Sequence, residues 1–267
     1  MSVQKKIIFI LTIFTTLLMI FAAYHGVFNP ATFEKDSLSF GTQGIGQDFV
    51  NLFIVAPILL ISLFLYFREN KIGYFLFGGT ILYILYSYVI YAFGVNFNQL
   101  FLVYSFIFGL SLYLFIIFIM DFASKDVTAW FKKKIPAKTM GIYMIIIAVL
   151  FYFIWLGEII PALLAGTTPT TVTDNNLLVN PVHVLDLAFS LPGLVIAAFL
   201  LMKHHKLGYI FAPVLLVFLV ILTIALAGMI VALTLNNISE NFFLAYIFAV
   251  LSVLSMIILV MFFRKVK

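Results

Sequence analysis

A chain of 267 residues that is 65% hydrophobic and only 9% charged, with a mean hydropathy of +1.22, is too poor in charge for a soluble domain, where about a quarter of residues are charged. The absence of cysteine excludes disulfides, thiolate metal sites and a cysteine nucleophile. The formal net charge of +5 raises nucleic acid as a partner, but no Gly-rich phosphate loop accompanies it, and the basic residues are placed as membrane topology requires.

Eight apolar spans follow in chain order: 7–26, 48–67, 72–93, 100–120, 141–160, 183–202, 208–234 and 242–263. Each is long enough to cross a hydrocarbon core of about 30 Å at about 1.5 Å per residue. The first also has the outline of a signal peptide, with Lys5 and Lys6 before an apolar run and Phe21-Ala22-Ala23 after it. It is read as a retained helix because span 5 is its counterpart. With the N-terminus inside, 14 of the 15 basic residues are cytoplasmic and only Lys35 lies outside. The positive-inside rule therefore predicts cytoplasmic N- and C-termini.

Residues 48–74 and 183–209 align without a gap at an offset of 135, with nine of 27 pairs identical. The pairs include Pro57/Pro192, Lys71/Lys206, Gly73/Gly208 and Tyr74/Tyr209. Apolar bias does not account for a shared proline or a shared Lys-x-Gly-Tyr. The expected fold is an all-α integral membrane protein of two parallel four-helix repeats, 1–120 and 139–267, related by a pseudo-two-fold along the membrane normal. A basic cytoplasmic linker, 121–138, joins them. Its Trp130 and Phe131, beside Lys132, Lys133 and Lys134, suit an interfacial segment against anionic lipid. The outer turns after spans 3 and 7 are both Asn-rich, with Asn96 and Asn98 in one and Asn236, Asn237 and Asn241 in the other.

An ionisable group inside a span costs roughly 2.5–3.5 kcal/mol at a helix centre on insertion scales, so such groups are the main pointer to function. Asp48 and Asn51 open span 2, and His183 and Asp186 open span 6 at the equivalent positions. Glu158 and His25 lie near the outer ends of spans 5 and 1. Asn180-Pro181 reads as an N-cap followed by proline at N1. Asp48 suits the positive end of a helix dipole. His183 and Asp186 share a face at i, i+3, where a carboxylate orients an imidazole. Glu158, read as an anion near a helix C-terminus, calls for a partner, and His183 is expected within roughly 3–6 Å of it. Pro57 and Pro192 each remove a helical hydrogen bond, freeing the carbonyls of Phe53 and Ala188 and kinking the helix. Tyr83 and Tyr86 sit near mid-membrane and their hydroxyls need partners. Their equivalents, Phe218 and Ile221, are apolar, so a cavity here is more polar on the first-half side. Tyr88 and Tyr91 read as an aromatic belt.

The stretches WLGEIIPALLAG (155–166), NPVHVLDLAFSLPG (180–193) and YAFGVNFNQLFLVYSFIFGLSLY (91–113) resemble a family of uncharacterised bacterial multi-pass membrane proteins with eight helices. The resemblance implies a bacterial inner membrane and carries Glu158, Pro161, Asn180, Pro181, His183 and Asp186, with no activity attached.

The leading functional reading is binding or transport of a small solute or ion through an extracytoplasmic polar pocket. Its candidate residues are Glu158, His183, Asp186, Asp48, Asn51, His25, Tyr83 and Tyr86. One alternative is a membrane-embedded enzyme, such as a metal-assisted hydrolase, using Glu158, His183 and Asp186. Another is a non-catalytic assembly or sensor subunit. No cofactor is predicted; by ligand type, Glu158, His183 and Asp186 are weak candidates for a divalent metal. The expected partners are the lipid bilayer and a small solute or ion, not nucleic acid.

Overall fold

A computed structural model describes residues 3–131, 135–238 and 242–267. Among these, eight helices are long and apolar enough to cross a membrane: α1 (Val3–Phe28), α2 (Leu38–Phe67), α3 (Lys71–Gly94), α4 (Phe101–Ser124), α5 (Ala137–Ala165), α6 (Pro181–Met202), α7 (Lys206–Leu235) and α8 (Phe242–Phe263). The chain is an all-helical, multi-pass membrane protein. The Lys132–Lys134 run and Asn241 lie outside the described residues.

α3 and α7 form the centre. They pack on each other, α2 and α6 each pack on α7, and α4 and α8 cover their sequence neighbours α3 and α7. Small residues set the closest approaches, as van der Waals packing demands where lipid offers no hydrophobic drive between helices. A Cβ on Gly46 would lie 2.6 Å from the carbonyl oxygen of Gly228, and one on Gly79 would lie 2.7 Å from that of Val214.

Most spans begin and end close to the expected positions, but α2 starts ten residues earlier. The segment Leu38–Gln47, expected in an outer loop because it is polar and holds three glycines, is helical. Ser37 caps it by accepting from the Phe40 amide. Its glycines are packing surfaces: Gly41 and Gly44 lie against Phe33, and Gly46 against Gly228. α5 likewise runs through Pro161 to Ala165 and ends at Gly166 in the left-handed region, φ 64°.

The prolines of α2 and α6 act through a wide turn. Residues Asn51–Val55 and Asp186–Ser190 are π-helical, with the Ala56 and Leu191 amides donating to the Asn51 and Asp186 carbonyls. A proline ring collides with the carbonyl four residues back. Widening the preceding turn by one residue moves that carbonyl aside while the helix continues. Further features recur at the spacing of 135. Glu69 and His204 both have positive φ, Asn70 and His205 both cap the next helix, and Gly73 and Gly208 both press on the backbone of the preceding helix. Tyr74 donates to Glu69 at 2.6 Å, and Tyr209 pairs with His204 at 2.9 Å.

The end of the bundle that holds both termini is closed by charge and aromatic packing. Lys5 pairs with Glu69, and Tyr66 donates to Asp121 at 2.9 Å. Burial pushes the Glu69 carboxyl up, but the hydrogen bonds from Lys5 and Tyr74 outweigh it and hold the group below its usual range. Trp130 stacks on Phe122 with ring centroids 5.6 Å apart, and Phe131 packs on Phe262 and Tyr209. These two aromatics, expected at the lipid interface, pin the linker to the bundle.

The glycine contact between α2 and α7 yields a stability test. Gly46→Leu should lower unfolding stability by about 1–3 kcal/mol through overpacking. Gly109→Leu, at a position with no neighbouring atom within 4 Å, should leave thermal unfolding in detergent nearly unchanged.

Candidate functional site

Two residues at the two π turns, one in each, anchor the polar interior. Asn51 opens the turn in α2 and Asp186 the turn in α6, and both are nearly inaccessible at 0% and 5%. α3 satisfies both from the centre. Tyr83 donates to Asn51 Oδ1 at 3.0 Å, and Tyr86, one turn on, donates to Asp186 Oδ1 at 3.0 Å. The other Asp186 oxygen accepts from Trp155 Nε1 at 2.8 Å. Asp48, fully buried, accepts at Oδ1 from Tyr91 at 2.8 Å and from Asn51 Nδ2 at 3.3 Å. Its Oδ2 has no hydrogen-bond partner and lies against Gly26, where a Cβ would overlap it. Neutral donors thus serve these carboxyl groups, and among the described residues no basic side chain pairs with them.

The outer rim is built by Glu158. Its Oε1 accepts from the Thr171 amide at 2.8 Å and the Thr170 hydroxyl at 3.3 Å, holding the short helix Thr170–Thr173 over the bundle. Its Oε2 lies 3.7 Å from His183 Nε2, within the expected range. Because α5 extends past Pro161, Glu158 is not at a helix C-terminus, and its partners are loop amides as well as His183. His183 is buried, packs tilted against Trp155 at a centroid distance of 4.8 Å and lies 3.5 Å from Asn180 Nδ2. Asn180 caps α6 by accepting from the Val182 amide at 2.9 Å, as Asn-Pro leads one to expect.

The expected His183–Asp186 pair does not form. Tyr86 and Trp155 occupy the Asp186 oxygens, while His183 turns toward Glu158. One face of a helix still presents two directions, and each side chain follows the nearer partner. Among the described residues no group of three or more His, Asp or Glu side chains is disposed to hold a metal ion.

A cavity of about 400 Å³ opens between the α2 extension, α3, α5, α7 and the 170–180 loop. Of the eight candidates named from sequence, Tyr86 and Asp186 line it. Glu158 and His183 stand behind its Thr170–Thr171 wall. Asp48, Asn51 and Tyr83 form an enclosed layer behind Tyr91 and Gln47. His25 is apart, packed on Phe21 and Tyr24. The sequence reading missed Trp155, Gln47 and Tyr91. Tyr91 and Tyr88, read as a belt, are 2% and 0% exposed. Trp155 stands three residues before Glu158, a spacing that places both on one helix face; that was the available signal.

The chain matches no protein-family model, no curated protein and no solved structure.

Removing the rim anchor should loosen the rim alone. Glu158→Ala should speed amide hydrogen exchange across 170–175 by about tenfold, the equivalent of one or two lost hydrogen bonds. The π turn at 186–190 should stay protected. Unchanged exchange at Thr171 would contradict the anchoring role.

Proposed function

We propose that this protein binds, and in a membrane transports, a small solute through a cavity on the extracytoplasmic side. The observation that carries the reading is the cavity of about 400 Å³ with Tyr86, Asp186 and Trp155 on its lining. That volume lies in the range of small-molecule sites, roughly 300–1,000 Å³. Its walls combine aromatic surface with a few convergent polar groups held in fixed directions.

The reading includes a topology. Both termini lie in the cytoplasm of a bacterial inner membrane, and two four-helix repeats relate by a pseudo-two-fold along the membrane normal. The placement of basic residues supports the orientation. The recurrence of π turns, caps and glycine contacts at a spacing of 135 supports the duplication. α3 and α7 then occupy equivalent central places, and the cavity arises where the halves differ: Tyr86 on one side faces Leu222 and Leu226 on the other.

A membrane-embedded enzyme is the weaker reading. A general base needs an orienting partner and a nucleophile within reach. The Asp186 oxygens are taken by Tyr86 and Trp155, and the Thr170 hydroxyl is committed to Glu158.

The lack of native cysteine makes a direct test simple. A single cysteine at Asp174 should react with a membrane-impermeant thiol reagent in intact cells, and one at Ala129 only after permeabilisation. A small-molecule fraction from the host cell should raise the unfolding temperature of the wild-type protein but not of Leu226→Trp, which fills the cavity. Reversed labelling contradicts the topology, and an equal thermal response of both proteins contradicts binding in the cavity.

A further inference from the structure

We infer that the solute is a small organic cation, a protonated amine carrying an apolar body. The inference rests on the binding reading above and gives its chemical class.

The first observation is charge. The cavity lining holds two carboxyl groups, Asp174 at the mouth and Asp186 within, and no Lys, Arg or His. Two more acidic side chains stand directly behind the walls: Glu158 anchors the Thr170–Thr171 segment, and Asp48 accepts from Tyr91, which itself lines the cavity. Among the described Lys and Arg residues, Lys35 alone lies at this end of the bundle, and its ammonium is directed to the Phe97 carbonyl at 3.2 Å. His183 turns to Glu158, away from the lining. A cleft of one sign with low-dielectric walls focuses that sign's field on its contents.

The second observation is an acceptor left unpaired in the lining. The donors of Tyr86 and Trp155 are spent on Asp186. Asn175 donates from Nδ2 to the Thr171 carbonyl at 2.8 Å, which leaves its buried Oδ1 without a donor. A ligand that brings N–H groups satisfies that oxygen, whereas one that brings a carboxylate adds charge to charge.

The third observation is the wall. Phe40, Tyr86, Tyr91, Phe151, Trp155 and Phe248 line the space. Aromatic faces attract an organic cation, the more strongly when desolvated, whereas a divalent metal ion needs a shell of oxygen ligands instead.

Four probes that share one phenyl ring test this on the purified full-length protein by equilibrium dialysis and thermal unfolding: benzylammonium, benzyltrimethylammonium, benzyl alcohol and benzoate. Benzylammonium should bind at least tenfold more tightly than benzyl alcohol, and its affinity should fall as salt rises. Benzoate should not compete. The quaternary probe should bind more weakly than the primary amine, because it offers no N–H to Asn175. Asp186→Asn should reduce benzylammonium affinity about tenfold. Should that variant fail to fold, Asp174→Asn at the exposed mouth should reduce it several-fold. Equal or tighter binding of the alcohol or benzoate overturns the charge assignment and leaves the binding reading standing. If none of the four binds, the cation assignment falls, and the binding reading is decided separately by the thermal response of wild type against Leu226→Trp.

Discussion

A carboxyl or amide group inside an apolar bundle must find a hydrogen-bond donor, because an unpaired buried polar group costs about 1–3 kcal/mol and more if charged. Among the described residues the donors to these buried groups are tyrosine hydroxyls, one indole and the Asn51 amide, not ammonium or guanidinium groups. Tyr83, Tyr86 and Tyr91 of α3, with Trp155 of α5, serve Asn51, Asp186 and Asp48. That arrangement requires α3 to run through the middle, within reach of both α2 and α6. It also requires the π turns, which set Asn51 and Asp186 just above Pro57 and Pro192. Neutral donors leave these carboxyl groups without a counter-cation among the described residues, and the proposed character of the cavity rests on that.

The membrane class, the eight spans and their order were legible in the sequence because they depend on long apolar runs and on length. Two features were hidden. Leu38–Gln47 is glycine-rich and polar, so propensity reads it as loop, yet Gly46 against Gly228 makes it a helix by tertiary packing. Pro161 follows Glu158 by three residues and suggests a helix end, yet α5 continues to Ala165. Both cases reflect local signals overridden by contacts distant in the chain.

The candidate site was legible in outline only. Asn51, Asp186, Tyr83 and Tyr86 stand out in sequence as polar groups at apolar depth, and each is hydrogen-bonded in the interior. Their pairing was not legible. The i, i+3 spacing of His183 and Asp186 describes a shared face but not which neighbouring helix each will meet. Asp186 meets Tyr86, a hundred positions away, and Trp155. Gly26 had no visible signal, since its role is to leave room for Asp48.

The central claim is that the cavity beside Trp155 is open and electronegative. The chain has two tryptophans, so Trp130→Phe leaves Trp155 as the single reporter. With each quenching constant taken relative to that for free N-acetyltryptophanamide, caesium should be more effective than iodide at equal low ionic strength, and Asp174→Asn should narrow the difference. A normalised iodide quenching equal to or stronger than that of caesium would contradict the account.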